Sequence, residues 1–201
     1  MLIAIWLITT AWVFALASWS RSSPLRGDLE HRVAARQRTR SGVKTRLSVA
    51  YVATALAGDN CVQATVLYRL ASCLIRHRLR PLARTVHAFS KFLTNADISP
   101  QAKIGPGFYL YHGLGTVIGK GTTIGCNAIV CQNVTTGGGP TIGDDVTLWA
   151  GARVIGRVTV GDRSEVGANG VVIADIPPDV IALGVPAERL ISKPKRKPNL
   201  D

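Results

Sequence analysis

The chain has 201 residues, enough for one domain with a sizeable core, or for such a domain with an appendage. Its 24 lysines and arginines outnumber its 12 aspartates and glutamates, which gives a formal net charge of +12. This excess indicates attraction for anions and does not define a fold. No zinc-finger, recognition-helix or aromatic–basic pattern accompanies it, so nucleic acid is not an expected partner. The four cysteines lack zinc-ligand spacing, and we expect reduced thiols in a cytoplasmic protein.

Residues 1–22 form an apolar segment with no charge between Leu2 and Ser20. As a helix it would be roughly 28 Å long, close to the thickness of a bilayer core. We interpret the basic residues 23–42 as a linker, and the positive-inside rule then predicts a protein tethered to the cytoplasmic face of the membrane. Two alternatives stay open: a cleaved signal peptide, and an extension that results from a mistaken start site.

Residues 43–96 show a helical pattern, because apolar residues recur at spacings of three and four from Val66 to Ile75. Pro81 should divide the region into two pieces, the second over residues 82–93. Basic residues lie between the apolar ones. We interpret them as a solvated face or as a surface that docks to anionic lipid.

From Ile98 onward the sequence repeats every six residues, and this is its strongest pattern. The repeat from Ile118 onward contains Ile118, Ile124, Val130, Thr136, Ile142, Leu148, Val154, Val160, Val166 and Val172. A mostly small residue stands four positions after each, and glycine often follows directly. Neither a helix period of 3.6 nor a strand period of 2 produces this pattern. It predicts a mostly β fold over residues 97–191: a parallel β-helix of hexapeptide repeats, in which three steps complete one triangular coil. Residues 192–201 would be a basic tail.

One irregularity interrupts the repeat. Leu110 and Ile118 stand eight residues apart instead of six, so two extra residues should bulge from the coil. The bulge carries Tyr111, His112 and Gly113. Because departures from a regular lattice often carry function, we expect the functional site here.

Several motifs resemble the serine acetyltransferase-like branch of the hexapeptide-repeat acyltransferases. They are the runs 97–107, 111–119 and 184–187 together with the repeat itself, and the resemblance covers residues 61–191. It implies a left-handed β-helix, acetyl-CoA as co-substrate, transfer to a hydroxyl group and no metal. It also implies a homotrimer, with a dimer of trimers left open.

The resemblance also assigns roles to particular residues. His112 matches the general base of the family, and Asp97, fifteen residues earlier, matches the carboxylate that orients it. A neutral imidazole can accept the proton of an attacking hydroxyl, and a carboxylate on its other nitrogen fixes the tautomer. Backbone N–H groups of Gly137 and Gly138 are candidate donors to the oxyanion, and Tyr111 lies in the same vicinity.

For the cofactor, the resemblance points to small residues that let the pantetheine arm lie between neighbouring subunits. The matching positions are Ala150, Gly151 and Ala168. We expect Arg189 and the basic residues after it to supply positive charge for the phosphates of the cofactor, or the residues after Lys193 to be a basic tail without this role.

Two departures from the family concern the acceptor. Tyr111 stands where serine acetyltransferases usually carry an aspartate. The loop after the Gly-Gly turn is short and lacks the Arg-His pair that helps to hold the carboxylate of serine. The acceptor is therefore left open between L-serine and a sugar of a polysaccharide pathway.

Two further classes of protein share a β-helix of this kind. A zinc hydro-lyase of the γ-carbonic anhydrase type needs three imidazoles around one metal, and the repeat contains only His112. A non-enzymatic β-helix that acts as an interaction protein stays open if the spacing of Asp97 and His112 is coincidental.

Overall fold

The computed structural model describes residues 23–39 and 49–193. The predicted membrane anchor at 1–22, the end of the predicted linker and nearly all of the basic tail lie outside these residues. Across the part of the chain that is described, no helix is long and apolar enough to cross a membrane.

Four helices precede the strands within the described residues. They are Pro24–Thr39 (α1), Val49–Gly58 (α2), Asn60–Arg76 (α3) and Arg80–Thr94 (α4). The predicted break lies just before Pro81, since proline is well accepted in the first turn of a helix, where its missing N–H has no intrahelical partner. Asp59 caps α3, because its carboxylate accepts hydrogen bonds from the backbone N–H groups of Cys61 and Val62.

Residues 23–42, which we expected to be a linker, contain α1, and this helix packs against the others. Leu25, Leu29 and Val33 recur every four residues and are buried. The two leucines join a cluster with Leu56, Val62, Val66, Leu67, Ala71 and Val86. The sequence conceals this helix because its buried stripe is narrow and arginines flank it on both sides.

A buried ion pair fastens α1 and α3 to the first coil. Nε and Nη2 of Arg69 each donate to the carboxylate of Asp28 at 2.9 Å. Arg69 also donates to the carbonyls of Ile104 and Gly105, and Asp28 accepts from the N–H of Phe108 at 2.8 Å. Burial raises the pKa of Asp28, and the guanidinium of Arg69 opposes that shift. Arg69 therefore lies in a buried contact and not on the solvated face predicted for the basic residues.

The rest of the described chain is a parallel β-helix. Its strands are Asp97–Ile98 (β1), Lys103–Ile104 (β2), Tyr109–Tyr111 (β3), Val117–Ile118 (β4), Thr123–Ile124 (β5), Ile129–Cys131 (β6), Thr135–Gly137 (β7), Thr141–Ile142 (β8), Thr147–Leu148 (β9), Arg153–Ile155 (β10), Thr159–Val160 (β11), Glu165–Val166 (β12), Val171–Val172 (β13), Val180–Leu183 (β14) and Arg189–Ser192 (β15). Within the described residues they form three sheets, ordered β1-β4-β7-β10-β13, β2-β5-β8-β11 and β3-β6-β9-β12-β14-β15. The predicted fold class is confirmed.

The register confirms both the repeat and its interruption. Asp97 pairs with Val117, an advance of 20 residues, whereas Val117 pairs with Thr135, an advance of 18. The first coil is therefore two residues longer than the second, as the spacing of Leu110 and Ile118 predicts.

The inward column of the repeat forms the core. Every member of the six-residue series from Ile98 to Val172 is buried. Thr136, the one polar member of the series, keeps its hydroxyl 3.0 Å from that of Thr122, so the two buried hydroxyls satisfy each other. All four cysteines of the chain are free thiols.

The last coil is short and is closed by an antiparallel strand. Val166 pairs with Ala182, an advance of only 16 residues, and β15 then pairs antiparallel with β14. Lys193 reaches back to Glu165 at 2.7 Å, and Trp149 Nε1 donates to the same carboxylate at 2.8 Å. Partial burial alone would raise the pKa of Glu165, but these two donors hold it below its ordinary value.

Candidate active site

His112 lies on the turn that follows β3, inside the two-residue insertion. Its φ is +60°, and its side chain is exposed. Gly113 comes next, and a Cβ there would lie 2.5 Å from the side chain of Leu110. The insertion thus lifts the imidazole out of the regular coil while Leu110 stays in the core.

A cavity of about 240 Å³ opens beside His112. The coil contributes one wall through Tyr109, Tyr111, His112 and Leu114, and the helical region contributes the other through Arg32 and residues 58–61. The cavity therefore lies between the two parts of the chain that the sequence pattern separates.

Aromatic rings surround the imidazole on the coil side. The ring centroids of Tyr111 and His112 are 4.2 Å apart, and Tyr111 meets Tyr109 edge-on at 5.6 Å. Tyr111 is 41% exposed. It therefore presents an aromatic surface beside the imidazole of His112, at the position where serine acetyltransferases usually carry an aspartate.

Arg32 and Asp59 form an ion pair on the helical wall. Arg32 is buried, its Nη1 donates to the carbonyl of Leu110 at 3.1 Å, and its guanidinium lies 5.0 Å from the ring centroid of Tyr109. The sequence analysis missed both residues as site residues. Asp59 left a signal, since it precedes an apolar run as an N-cap would, but Arg32 was only one arginine among many.

Asp97 lies next to the turn of His112 but has other partners. Its backbone N–H donates to the carbonyl of Thr116 at 2.8 Å, at the end of that turn. Its carboxylate accepts from His87 Nε2 at 2.8 Å and lies 3.6 Å from Nζ of Lys91, both on α4. Within the described residues the side-chain partners of Asp97 are therefore His87 and Lys91, neither of which the sequence analysis singled out.

A second groove of about 400 Å³ runs along the same corner of the coil. It starts at Gly115, three residues after His112, and follows the equivalent positions Asn133, Gly151 and Asn169 down successive coils. All four residues have positive φ, which the repeated turn requires.

The groove brings together three of the four predicted cofactor residues. Ala150, Gly151 and Ala168 line it, whereas Arg189 lies on β15 and is not part of the lining. Arg153 also lines the groove and, among the described residues, is the one positively charged residue in its lining; its equivalent position one coil earlier, Thr135, is uncharged. Sequence reasoning overlooked Arg153 because it is an outward residue of an ordinary repeat.

Gly137 and Gly138 lie at a different corner. Gly137 is the last residue of β7 and Gly138 begins the turn to β8, whereas His112 and the groove lie at the corner between the third and first sheets. Gly138 has a φ of +83°, and a Cβ there would lie 2.8 Å from the backbone of Gly156. Neither glycine lines the two cavities described above. Within the described residues no group of three metal-ligating side chains could hold an ion.

Comparison with known proteins agrees with this architecture. The family described as bacterial transferase hexapeptide (six repeats) matches residues 139–174. The serine acetyltransferase of Helicobacter pylori strain J99 is 39% identical over 137 residues, which span 64% of this chain and 80% of that protein.

Two solved structures share the fold. Soybean serine acetyltransferase complexed with serine has a TM-score of 0.72 at 33% identity, over 88% of this chain and 73% of that one. A serine acetyltransferase in complex with CoA has a TM-score of 0.73 at 27% identity, over 87% and 72%.

The coil and its matches define a hexapeptide-repeat transferase of the left-handed β-helix class. Within that class, the chain belongs to the serine acetyltransferase family. The family resemblance expected from the motifs is confirmed.

Proposed function

We propose that this protein transfers the acetyl group of acetyl-CoA to the hydroxyl of a small acceptor, with His112 as the general base. The observation that carries the proposal is the position of the exposed His112 between the cavity and the groove. The acceptor would occupy the cavity beside the imidazole. The thioester would reach it along the groove that begins at Gly115.

The proposed reaction is a direct acyl transfer. The acceptor oxygen attacks the thioester carbonyl carbon while His112 takes the hydroxyl proton. A C–O bond forms, the C–S bond of the tetrahedral intermediate breaks, and the imidazolium returns the proton to the leaving sulfur. The products are an acetyl ester and CoA. No metal is needed in any step.

In this proposal Asp97 stabilises the imidazolium that forms at His112, either directly or through the turn beside it. The support is that Asp97 is hydrogen-bonded through its backbone to the end of that turn, at Thr116. His87 and Lys91 would hold its carboxylate in a fixed position.

We assign the groove to the pantetheine arm of acetyl-CoA. Ala150, Gly151 and Ala168 leave room for it, and the guanidinium of Arg153 supplies a hydrogen-bond donor inside the groove. Arg189 is exposed on β15 and supplies positive charge for the phosphates of the cofactor.

We further propose a homotrimer with sites between protomers. Gly137 and Gly138 lie one corner away from His112 in the same chain, so their N–H groups would serve as oxyanion donors from a neighbouring subunit. Threefold packing of identical prism faces would bring the two corners together. A monomer should then be inactive.

L-Serine is the first acceptor to test, because the relatives are named as serine acetyltransferases. A sugar is the second, and two observations favour it. The exposed ring of Tyr111 lies beside His112, and the charges of Arg32 and Asp59 already neutralise each other across the cavity wall. A neutral acceptor can bind without unpaired charged groups on the protein. The ammonium and carboxylate groups of serine would each need an oppositely charged partner.

The test is release of thiol from acetyl-CoA by the full chain, first with L-serine and then with a panel of monosaccharides. His112→Ala should lower acceptor-dependent release by about 10²- to 10⁴-fold. His77→Ala is the matched control, since His77 is exposed at the end of α3 and lines neither cavity. Release that depends on neither acceptor nor His112 would overturn the proposal.

A further inference from the structure

The turn between α3 and α4 carries an exposed basic cluster. Residues 76–84, named here the hairpin tip, include Arg76, Arg78, Arg80 and Arg84, all exposed. The tip is an ordered turn, since the N–H of Leu79 donates to the carbonyl of Leu74 at 2.9 Å and closes the end of α3. The arginines are therefore held together at one end of the helical region.

No acidic residue offsets this charge locally. Between Asp59 and Asp97 the sequence contains no aspartate or glutamate. Elsewhere in the described residues, arginines such as Arg69 and Arg163 form ion pairs, but the four arginines of the hairpin tip form none there. Their positive charge is therefore uncompensated and faces solvent.

Apolar side chains lie among these arginines. Leu79 is 49% exposed and Leu82 is 36% exposed, on either side of Arg80. Arg80 and Arg84 lie four residues apart on α4 and so share one helix face. In binding to a nucleic-acid backbone, only the arginines would contribute affinity. In binding to a bilayer, the arginines and the leucines would both contribute, because phosphates meet the guanidinium groups while leucines enter the acyl boundary.

We infer that the hairpin tip docks the protein onto an anionic phospholipid bilayer. This inference does not depend on the proposed acetyl transfer, because residues 76–84 line neither the His112 cavity nor the groove at Gly151. In a trimer, three tips would bind together, and the avidity would exceed the affinity of a single tip.

The test measures binding of the full chain to sedimented vesicles of phosphatidylglycerol and phosphatidylcholine in equal parts, against vesicles of phosphatidylcholine alone. Each arginine near an anionic surface strengthens binding about fivefold. The double variant Arg80→Gln/Arg84→Gln should therefore weaken binding to the anionic vesicles by about 25-fold for each protomer, and by more where three tips of a trimer bind together. High ionic strength should weaken the binding of the unsubstituted chain.

The matched control is Lys120→Gln/Arg157→Gln, which removes two exposed positive charges from the coil. It should bind nearly as well as the unsubstituted chain. Equal losses in the two variants would mean that net charge and not the tip attracts the vesicles, and unchanged binding by Arg80→Gln/Arg84→Gln would assign the binding to another segment. Either result overturns the inference, as does binding to duplex RNA with no binding to anionic vesicles. Circular dichroism and acetyl transfer, both expected to be unchanged, show whether the variants are folded.

Discussion

Removal of Asp28 tests whether the buried ion pair holds the helical region on the coil. Asp28→Ala deletes both hydrogen bonds to Arg69 at 2.9 Å and leaves the N–H of Phe108 without its acceptor. Breaking a buried ion pair costs about 3–5 kcal/mol, and a buried orphan N–H costs about 1–3 kcal/mol. Arg69 keeps two carbonyl acceptors, at Ile104 and Gly105, which lowers the cost of breaking the ion pair. We therefore expect a loss of about 4 kcal/mol in the free energy of unfolding.

The assay is urea unfolding at neutral pH, followed by circular dichroism at fixed protein concentration, since a trimer makes apparent stability depend on concentration. Asp179→Ala is the control. Asp179 accepts two hydrogen bonds from Arg163 at 2.7 Å, the same bidentate geometry, but both side chains are exposed. It should change stability little. A loss below about 1 kcal/mol for Asp28→Ala would contradict the reasoning, because it would mean that solvent screens the buried pair as it screens an exposed one.

The same pair makes a prediction about pH. Burial raises the pKa of Asp28 and Arg69 opposes that shift, so Arg69→Met should raise the pKa further. When the pKa of a group is higher in the folded state than in the unfolded state, the folded state binds more protons at pH values between the two pKa values. The destabilisation caused by Arg69→Met should therefore shrink as the pH falls, whereas that of Asp28→Ala should not. Parallel pH dependence in the two variants would show that Asp28 stays ionised without its partner.

Three further predictions concern single residues. His87→Ala should lower kcat with little change in the KM for the acceptor. His87→Gln should restore part of kcat, because an amide N–H can still donate to Asp97. If His87→Ala were unfolded and His87→Gln were not, the loss of kcat would be structural. Thr136→Val should destabilise by about 1 kcal/mol by orphaning the hydroxyl of Thr122, and a double valine variant should recover most of that loss in urea unfolding. The pKa of Glu165 is lowered in the folded state, so its ionised carboxylate stabilises the fold at pH values above the ordinary carboxyl pKa. This stabilisation is lost as the pH falls through the pKa of Glu165 in the folded state. Glu165→Gln should therefore flatten the acid side of a plot of Tm against pH.

The coil could be predicted from sequence because its information is local and repeated. Each step places an aliphatic residue inward, and the burial of the whole series from Ile98 to Val172 follows from that one rule. The insertion at His112 was visible for the same reason, since a strict period makes two extra residues obvious. The groove residues Gly151 and Ala168 were indicated by the family resemblance, and the repeat places them at one corner of successive coils.

The helical wall of the cavity could not be predicted in this way. Arg32 donates to the carbonyl of Leu110, 78 residues away, and pairs with Asp59 at the start of another helix. No local period encodes such contacts. The same holds for His87, which contacts Asp97 only because α4 ends where the first strand begins. Tertiary packing set these positions, and α1 was mistaken for a linker because its buried stripe is narrow.

The division of the chain into a regular coil and irregular segments bears on acceptor specificity. The proposed donor groove is built from positions that recur every coil, so it is constrained by the same lattice that stabilises the fold. The proposed acceptor cavity also includes groups outside the repeat, the turn of His112 and the helical residues Arg32 and Asp59, which lie opposite Tyr109 and Tyr111 of β3. A substitution at Tyr111 can therefore change the acceptor without disturbing the coil or the groove, since Tyr111 is exposed and contributes little to the core. This separation would explain how a chain can keep the coil of serine acetyltransferases while the proposed acceptor site differs at Tyr111.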